Sequence, residues 1–105
     1  GVDILILENN NIPHLPSRAF SSVKVNRLFI ENNRIMTIDR NAFAGLENFL
    51  SEIYIKETNL KSLPKDSIDY LHELTVFSVE NSQIVSMPRV EGLRKMKLFN
   101  SLFIL

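Results

Sequence analysis

The chain has 105 residues, enough for one domain, and its 12 basic and 12 acidic side chains cancel. It therefore lacks a net field of either sign, and neither nucleic acid nor a strongly basic partner is expected from overall charge. The absence of cysteine excludes a disulfide framework, a thiolate metal site and a Cys nucleophile within these residues. No apolar run approaches the roughly 18 residues needed to cross a bilayer, and Gly1 leads almost directly into a strand-like run without a charged or apolar signal segment.

Along the chain one frame recurs. In Val25 to Ile35, V-N-R-L-F-I-E-N-N-R-I, apolar residues fall at Val25, Leu28, Ile30 and Ile35, with Asn33 three places after Ile30. The same spacing appears at Val2, Leu5, Leu7, Asn10 and Ile12; at Leu50, Ile53, Ile55, Thr58 and Leu60; at Leu74, Phe77, Val79, Ser82 and Ile84; and at Leu93, Met96, Leu98, Ser101 and Phe103. Taken at Asn10, Asn33, Thr58, Ser82 and Ser101, the steps are 23, 25, 24 and 19 residues. A period near 24 fits one short strand plus a compact return.

Because side chains alternate along a strand, Leu28 and Ile30 should point inward while Phe29 points out. No single repeat can bury its inward face alone. Stacking at about 4.8 Å should place Leu5, Leu28, Ile53, Phe77 and Met96 in one core column and Leu7, Ile30, Ile55, Val79 and Leu98 in the next. Asn at the ninth position can bond buried backbone groups of adjacent coils through both ends of its amide. Thr58, Ser82 and Ser101 offer only a hydroxyl, so the C-terminal half of this ladder should be weaker.

The returns repeat as well. Leu15-Pro16 with Ala19-Phe20, Ile38 with Ala42-Phe43, and Leu63-Pro64 with Ser67-Ile68 should stack Phe20, Phe43 and Ile68 inside the convex wall. Proline favours extended backbone before each turn, so 3₁₀ or irregular returns are expected rather than full helices. Between Met87 and Leu93 the return is shorter, and the last coil should be pinched.

With these five frames, the two Leu-Pro pairs, and N-A-F-A-G-L at Asn41 to Leu46, the chain resembles the extracellular, roughly 24-residue class of leucine-rich repeat proteins, as in Toll-like, Slit-like and chaoptin-like ectodomains. Its irregular steps and the insertion at residues 46 to 52 also look like secreted arthropod members, including a non-catalytic repeat subunit of a luciferase. The resemblance implies an α/β-class, right-handed horseshoe solenoid with one curved parallel β-sheet on the concave face. It also implies binding of a partner protein by that face, an extracellular setting, and further repeats or caps beyond residues 1–105.

The outward columns of the frame carry the candidate site. The central column reads Ile6, Phe29, Tyr54, Ser78, Lys97; beside it run Glu8, Glu31, Lys56, Glu80, Phe99 and then Asn9, Asn32, Glu57, Asn81, Asn100. Apolar anchors within a polar rim are the composition of an interface. Ile6, Glu8, Arg27, Phe29, Glu31, Tyr54, Lys56, Glu80 and Lys97 are therefore the candidate partner-binding residues. The competing structural reading has the aromatics packing across strands and Glu31, Lys56 and Glu80 forming lateral surface ion pairs.

Catalysis and cofactors are not expected. If Lys65 to Glu73 were helical, Asp66, Asp69, His72 and Glu73 would share a stripe able in principle to hold a metal; the alternative is a short capped helix with a solvated face. His14 and His72 lie two repeats apart, the three glycines are isolated, and no N-x-Ser/Thr acceptor occurs. The expected function is non-catalytic protein recognition, with a regulatory or inhibitory subunit of an enzyme complex, or an adhesion array, as alternatives. A segment with exposed coil ends should behave poorly alone.

Overall fold

The computed structural model describes residues 2–96 and, for backbone only, 98–103. Strands β1 (Val2–Glu8), β3 (Val25–Glu31), β5 (Glu52–Lys56), β6 (Val76–Ser82) and β7 (Leu98–Phe103) form one parallel sheet in the order β1-β3-β5-β6-β7. A second, two-stranded ladder joins β2 (His14–Leu15) to β4 (Thr37–Ile38) on the returns. Sequential strands lying side by side and parallel make a solenoid. Among the described residues no helix occurs, and the returns are turns and short extended segments, as the proline placement led one to expect.

Register follows the inward leucines. Leu5 lies opposite Leu28, Leu28 opposite Ile53 and Ile53 opposite Phe77; Leu7, Ile30, Ile55 and Val79 align in the next column. Leu28, Ile30, Ile53, Ile55, Phe77 and Val79 are all buried. At roughly 1.5–3 kcal/mol for each fully buried large apolar side chain, these columns are a main source of stability. On the convex side Phe20 and Phe43 stack with centroids 6.4 Å apart and planes at 7°. Ile68 is buried in the following return.

The fifth strand departs from the expected frame. Phe77 pairs with Phe99, and Ser78 with Asn100, rather than with Met96 and Lys97. Repeat steps measured from Leu5 to Leu28, Ile53, Phe77 and Phe99 are thus 23, 25, 24 and 22 residues. A coil of 19 residues would have to close over the same cross-section as coils four to six residues longer. Sliding the strand by three residues lengthens the return instead, and the pairing carries an irregularity between Val79 and Ser82.

The polar ladder also differs. Asn33 is fully buried; its Nδ2 donates to the Leu7 carbonyl (2.9 Å), and its Oδ1 accepts from Asn10 N and Nδ2 (both 3.1 Å). The next rung is not Thr58, which is exposed, but Glu57, which is fully buried. Its carboxylate accepts from Asn33 N (2.9 Å to each oxygen), Asn33 Nδ2 (2.9 Å) and Ile35 N (3.1 Å). The repeat frame groups Glu57 with the outward Asn9 and Asn32, and the fold turns it inward.

The reason lies in the turn. Asn9, Asn32 and Asn81 take left-handed φ values of 61°, 54° and 54°, a region that asparagine enters more readily than most residues. Glu57 follows β5 at the position equivalent to these asparagines but is not left-handed. The chain turns one residue earlier, and the longer side chain reaches into the place an asparagine would fill. The middle of the ladder is therefore strong, and its weak rung is Ser82, whose Oγ accepts one long bond from Ile84 N (3.4 Å).

Candidate partner-binding face

The outward rows of β1, β3, β5 and β6 align as the frame required. Ile6, Phe29, Tyr54 and Ser78 form one row; Glu8, Glu31, Lys56 and Glu80 form the next. Together with Ile30 and Ile55 they line an open hollow of about 350 Å³. Seven of the nine candidate residues, Ile6, Glu8, Phe29, Glu31, Tyr54, Lys56 and Glu80, meet there. Arg27 lies outside the lining, with its guanidinium held 2.9 Å from Asp3 Oδ2. Lys97 falls outside the described residues.

Within the hollow Phe29 and Tyr54 stack with centroids 4.6 Å apart and planes at 9°. Such a pair contributes about 0.5–1.5 kcal/mol beyond its area, so cross-strand packing is part of its role. Neither ring is fully covered, and Ile6, opposite Phe29, is 60% exposed. Apolar surface left open on a polar sheet is what an interface core requires. The rings are also held in place. Tyr54 Oη donates to Glu52 Oε1 at 2.6 Å, and that bond, aided by burial, pushes the phenol pKa up. Glu52 was not among the candidate residues; its place two residues before Tyr54, on the same face, was the available signal.

Lys56 Nζ sits 3.5 Å from Glu31 Oε1 and 3.9 Å from Glu80 Oε2, with all three side chains substantially exposed. These are the lateral pairs of the structural reading, and each stabilises by under about 1 kcal/mol. Arg27 is raised in pKa chiefly by its hydrogen bond to Asp3. Outside this face, Asn32 Nδ2 donates to Asn9 Oδ1 (2.8 Å), continuing a polar ledge along the turns.

Lys65 to Glu73 is a run of turns and bends, so the helical stripe that would have collected Asp66, Asp69, His72 and Glu73 does not form. Asp66 faces Arg40 (3.6 Å), Glu73 holds Lys95 (2.9 Å), and His72 Nε2 contacts Asn48 Oδ1 (3.3 Å). The Glu73 carboxyl is lowered in pKa by its bond to Lys95. Among the described residues no group of three or more His, Cys, Asp or Glu side chains could hold a metal, and no helix is long and apolar enough to cross a membrane. His14 bonds Thr37 Oγ1 (2.7 Å) in the β2–β4 ladder.

Comparison with known proteins agrees with this architecture. Residues 1–49 match the family model described as "Leucine rich repeat". The thyrotropin receptor of Ovis aries is 31% identical over 71 residues, covering 67% of this chain and 9% of the receptor. Leucine-rich repeat-containing protein 3 of Danio rerio is 29% identical over 69 residues, covering 65% of this chain and 26% of that protein. The thyrotropin receptor of Mus musculus is 28% identical over 71 residues. The chain thus spans a small part of the length of these relatives. With the matching repeat, a parallel sheet of consecutive strands, and an inward asparagine following the strand, this is a leucine-rich repeat protein.

Proposed function

We propose that the chain is a non-catalytic recognition module that binds a partner protein through the outward face of its β-sheet. One observation carries this: the stacked Phe29–Tyr54 pair and the exposed Ile6 form an apolar floor inside a hollow whose edge is charged. Aromatic anchors surrounded by polar side chains concentrate binding energy in protein interfaces. A face this open excludes water poorly, which suits association better than general acid–base chemistry. The receptor among its relatives supports the same reading, together with an extracellular or cell-surface setting and additional repeats flanking this segment.

The test is capture from the source fluid on immobilised protein, repeated with the triple variant Ile6→Ala, Phe29→Ala, Tyr54→Ala, whose fold is checked by circular dichroism. A partner held by the parent chain and lost by the folded variant is expected. Equal retention by both would refute use of this face. A captured enzyme whose rate changes on binding would place the module as a regulatory subunit within the same function.

A further inference from the structure

The row beside the aromatic floor has an imbalance that the sequence total conceals. The chain carries no net charge, yet among the described residues the outward rows of β1, β3, β5 and β6 hold Glu8, Glu31, Glu52 and Glu80 against Arg27 and Lys56. Arg27 is already engaged by Asp3, and Lys56 lies between Glu31 and Glu80. Glu52 accepts the Tyr54 hydroxyl. Glu8 is left over, with no ion pair to its carboxylate among the described residues. It stands opposite Glu31 on the neighbouring strand, and like charges directly opposite one another are destabilising.

Glu8 and Glu31 lie side by side two residues beyond Ile6 and Phe29 on their strands, and all four line the same hollow. The floor there is apolar on β1 and aromatic on β3. The missing component is a positive charge with an apolar stem, able to lie over Ile6 and Phe29 and place its head between the two carboxylates. A lysine or arginine side chain has this shape, since its methylenes cover apolar surface while the charge stays polar. It adds attraction to the Phe29 ring face and removes the repulsion between the carboxylates.

We propose that the hollow between β1 and β3 receives a lysine or arginine side chain from the partner protein, with Ile6 and Phe29 holding the stem and Glu8 and Glu31 the charge. This rests on the recognition reading above and specifies the chemistry of the partner surface. Charge complementarity is the argument: a net acidic face on an otherwise neutral chain steers basic segments toward it.

The experiment is an amide-resolved NMR titration of the protein with three blocked amino acids, N-acetyl-arginine amide, N-acetyl-lysine amide and N-acetyl-glutamate amide. Shifts confined to Ile6, Glu8, Phe29 and Glu31 are expected with the two cations and absent with glutamate. Binding should weaken severalfold between roughly 20 mM and roughly 200 mM salt, and at least threefold in Glu8→Gln. Equal response to all three probes, or none to the cations, would overturn the proposal. So would calcium shifting Glu8 and Glu31 more strongly than either cationic probe, which would identify a metal site. The two readings separate on the captured partner. If the triple apolar variant abolishes capture while the Glu8→Gln, Glu31→Gln double variant leaves it unchanged, only the cation inference fails.

Discussion

Glu57 offers a decisive test of how the coils are joined. The frame points to Thr58 as the third rung of the ladder, whereas the fold puts the buried carboxylate of Glu57 there and leaves Thr58 exposed. Glu57→Gln keeps the volume but turns one acceptor oxygen into an amide that faces N–H groups. Depending on the flip, this sets the new donor against Asn33 N and Ile35 N or against Asn33 N and Nδ2. A buried donor left without a partner costs about 1–3 kcal/mol, so a loss of roughly 2 kcal/mol is expected. Glu57→Ala leaves three donors bare and opens a void. About 3–5 kcal/mol is expected, reduced by whatever is recovered from no longer burying a carboxylate. Thr58→Ala, at the surface, should lie within about 0.5 kcal/mol of the parent. Urea denaturation followed by far-UV circular dichroism is the appropriate assay, because the chain has no tryptophan to report by fluorescence. A Thr58→Ala loss equal to that of Glu57→Ala, or a neutral Glu57→Gln, would refute the assignment.

Three further outcomes are expected from the same measurement. Ser67 is fully buried in the column occupied elsewhere by Ala19 and Ala42, and its Oγ has no hydrogen-bond partner; Ser67→Ala should raise stability by up to about 1 kcal/mol, and a clear loss would contradict this. Gly45 has φ of 98°, and a Cβ there would lie 2.8 Å from Ser21 Cβ, so Gly45→Ala should lower stability by about 1–3 kcal/mol, with an unchanged midpoint counting against it. Tyr70 Oη accepts from Phe43 N (3.2 Å) and donates to the Arg40 carbonyl (3.1 Å), and burial raises its pKa to about 12. The unfolded phenol, near 10, loses its proton first, so stability should fall between pH 10 and 12; Tyr70→Phe should flatten that part of the pH profile.

Most of the face was readable because strand alternation and a fixed frame are local properties. Leu28 and Ile30 inward, Phe29 outward, and the Glu31–Lys56–Glu80 row all follow from counting by two. The failures lie where counting meets three-dimensional closure. Glu57 sits one place early because its turn lacks the left-handed residue that Asn9, Asn32 and Asn81 supply. Its signal was present: Asn33 to Glu57 is 24 residues, nearer the repeat than the 25 to Thr58. The slide of β7 was less accessible, since a 19-residue step looks permissible until the coil has to span the same core as its neighbours. The unmatched charge of Glu8 needed the register, for only the pairing of β1 with β3 sets it against Glu31.

The unequal steps of 23, 25, 24 and 22 residues carry a consequence for design. From β1 to β6 each difference in length is taken up between strands, in turns that need not maintain a helical phase, while Ile6, Phe29, Tyr54 and Ser78 stay abreast. The convex side thus acts as slack, decoupled from the rulings of the sheet. The stretch from Leu46 to Ser51 already shows this, burying Leu46 and Leu50 while Phe49 and Asn48 spill outward. Residues added beside Asn48 would lengthen the outer contour without shifting any side chain across the strands, so the two sides of the coil can be redesigned separately.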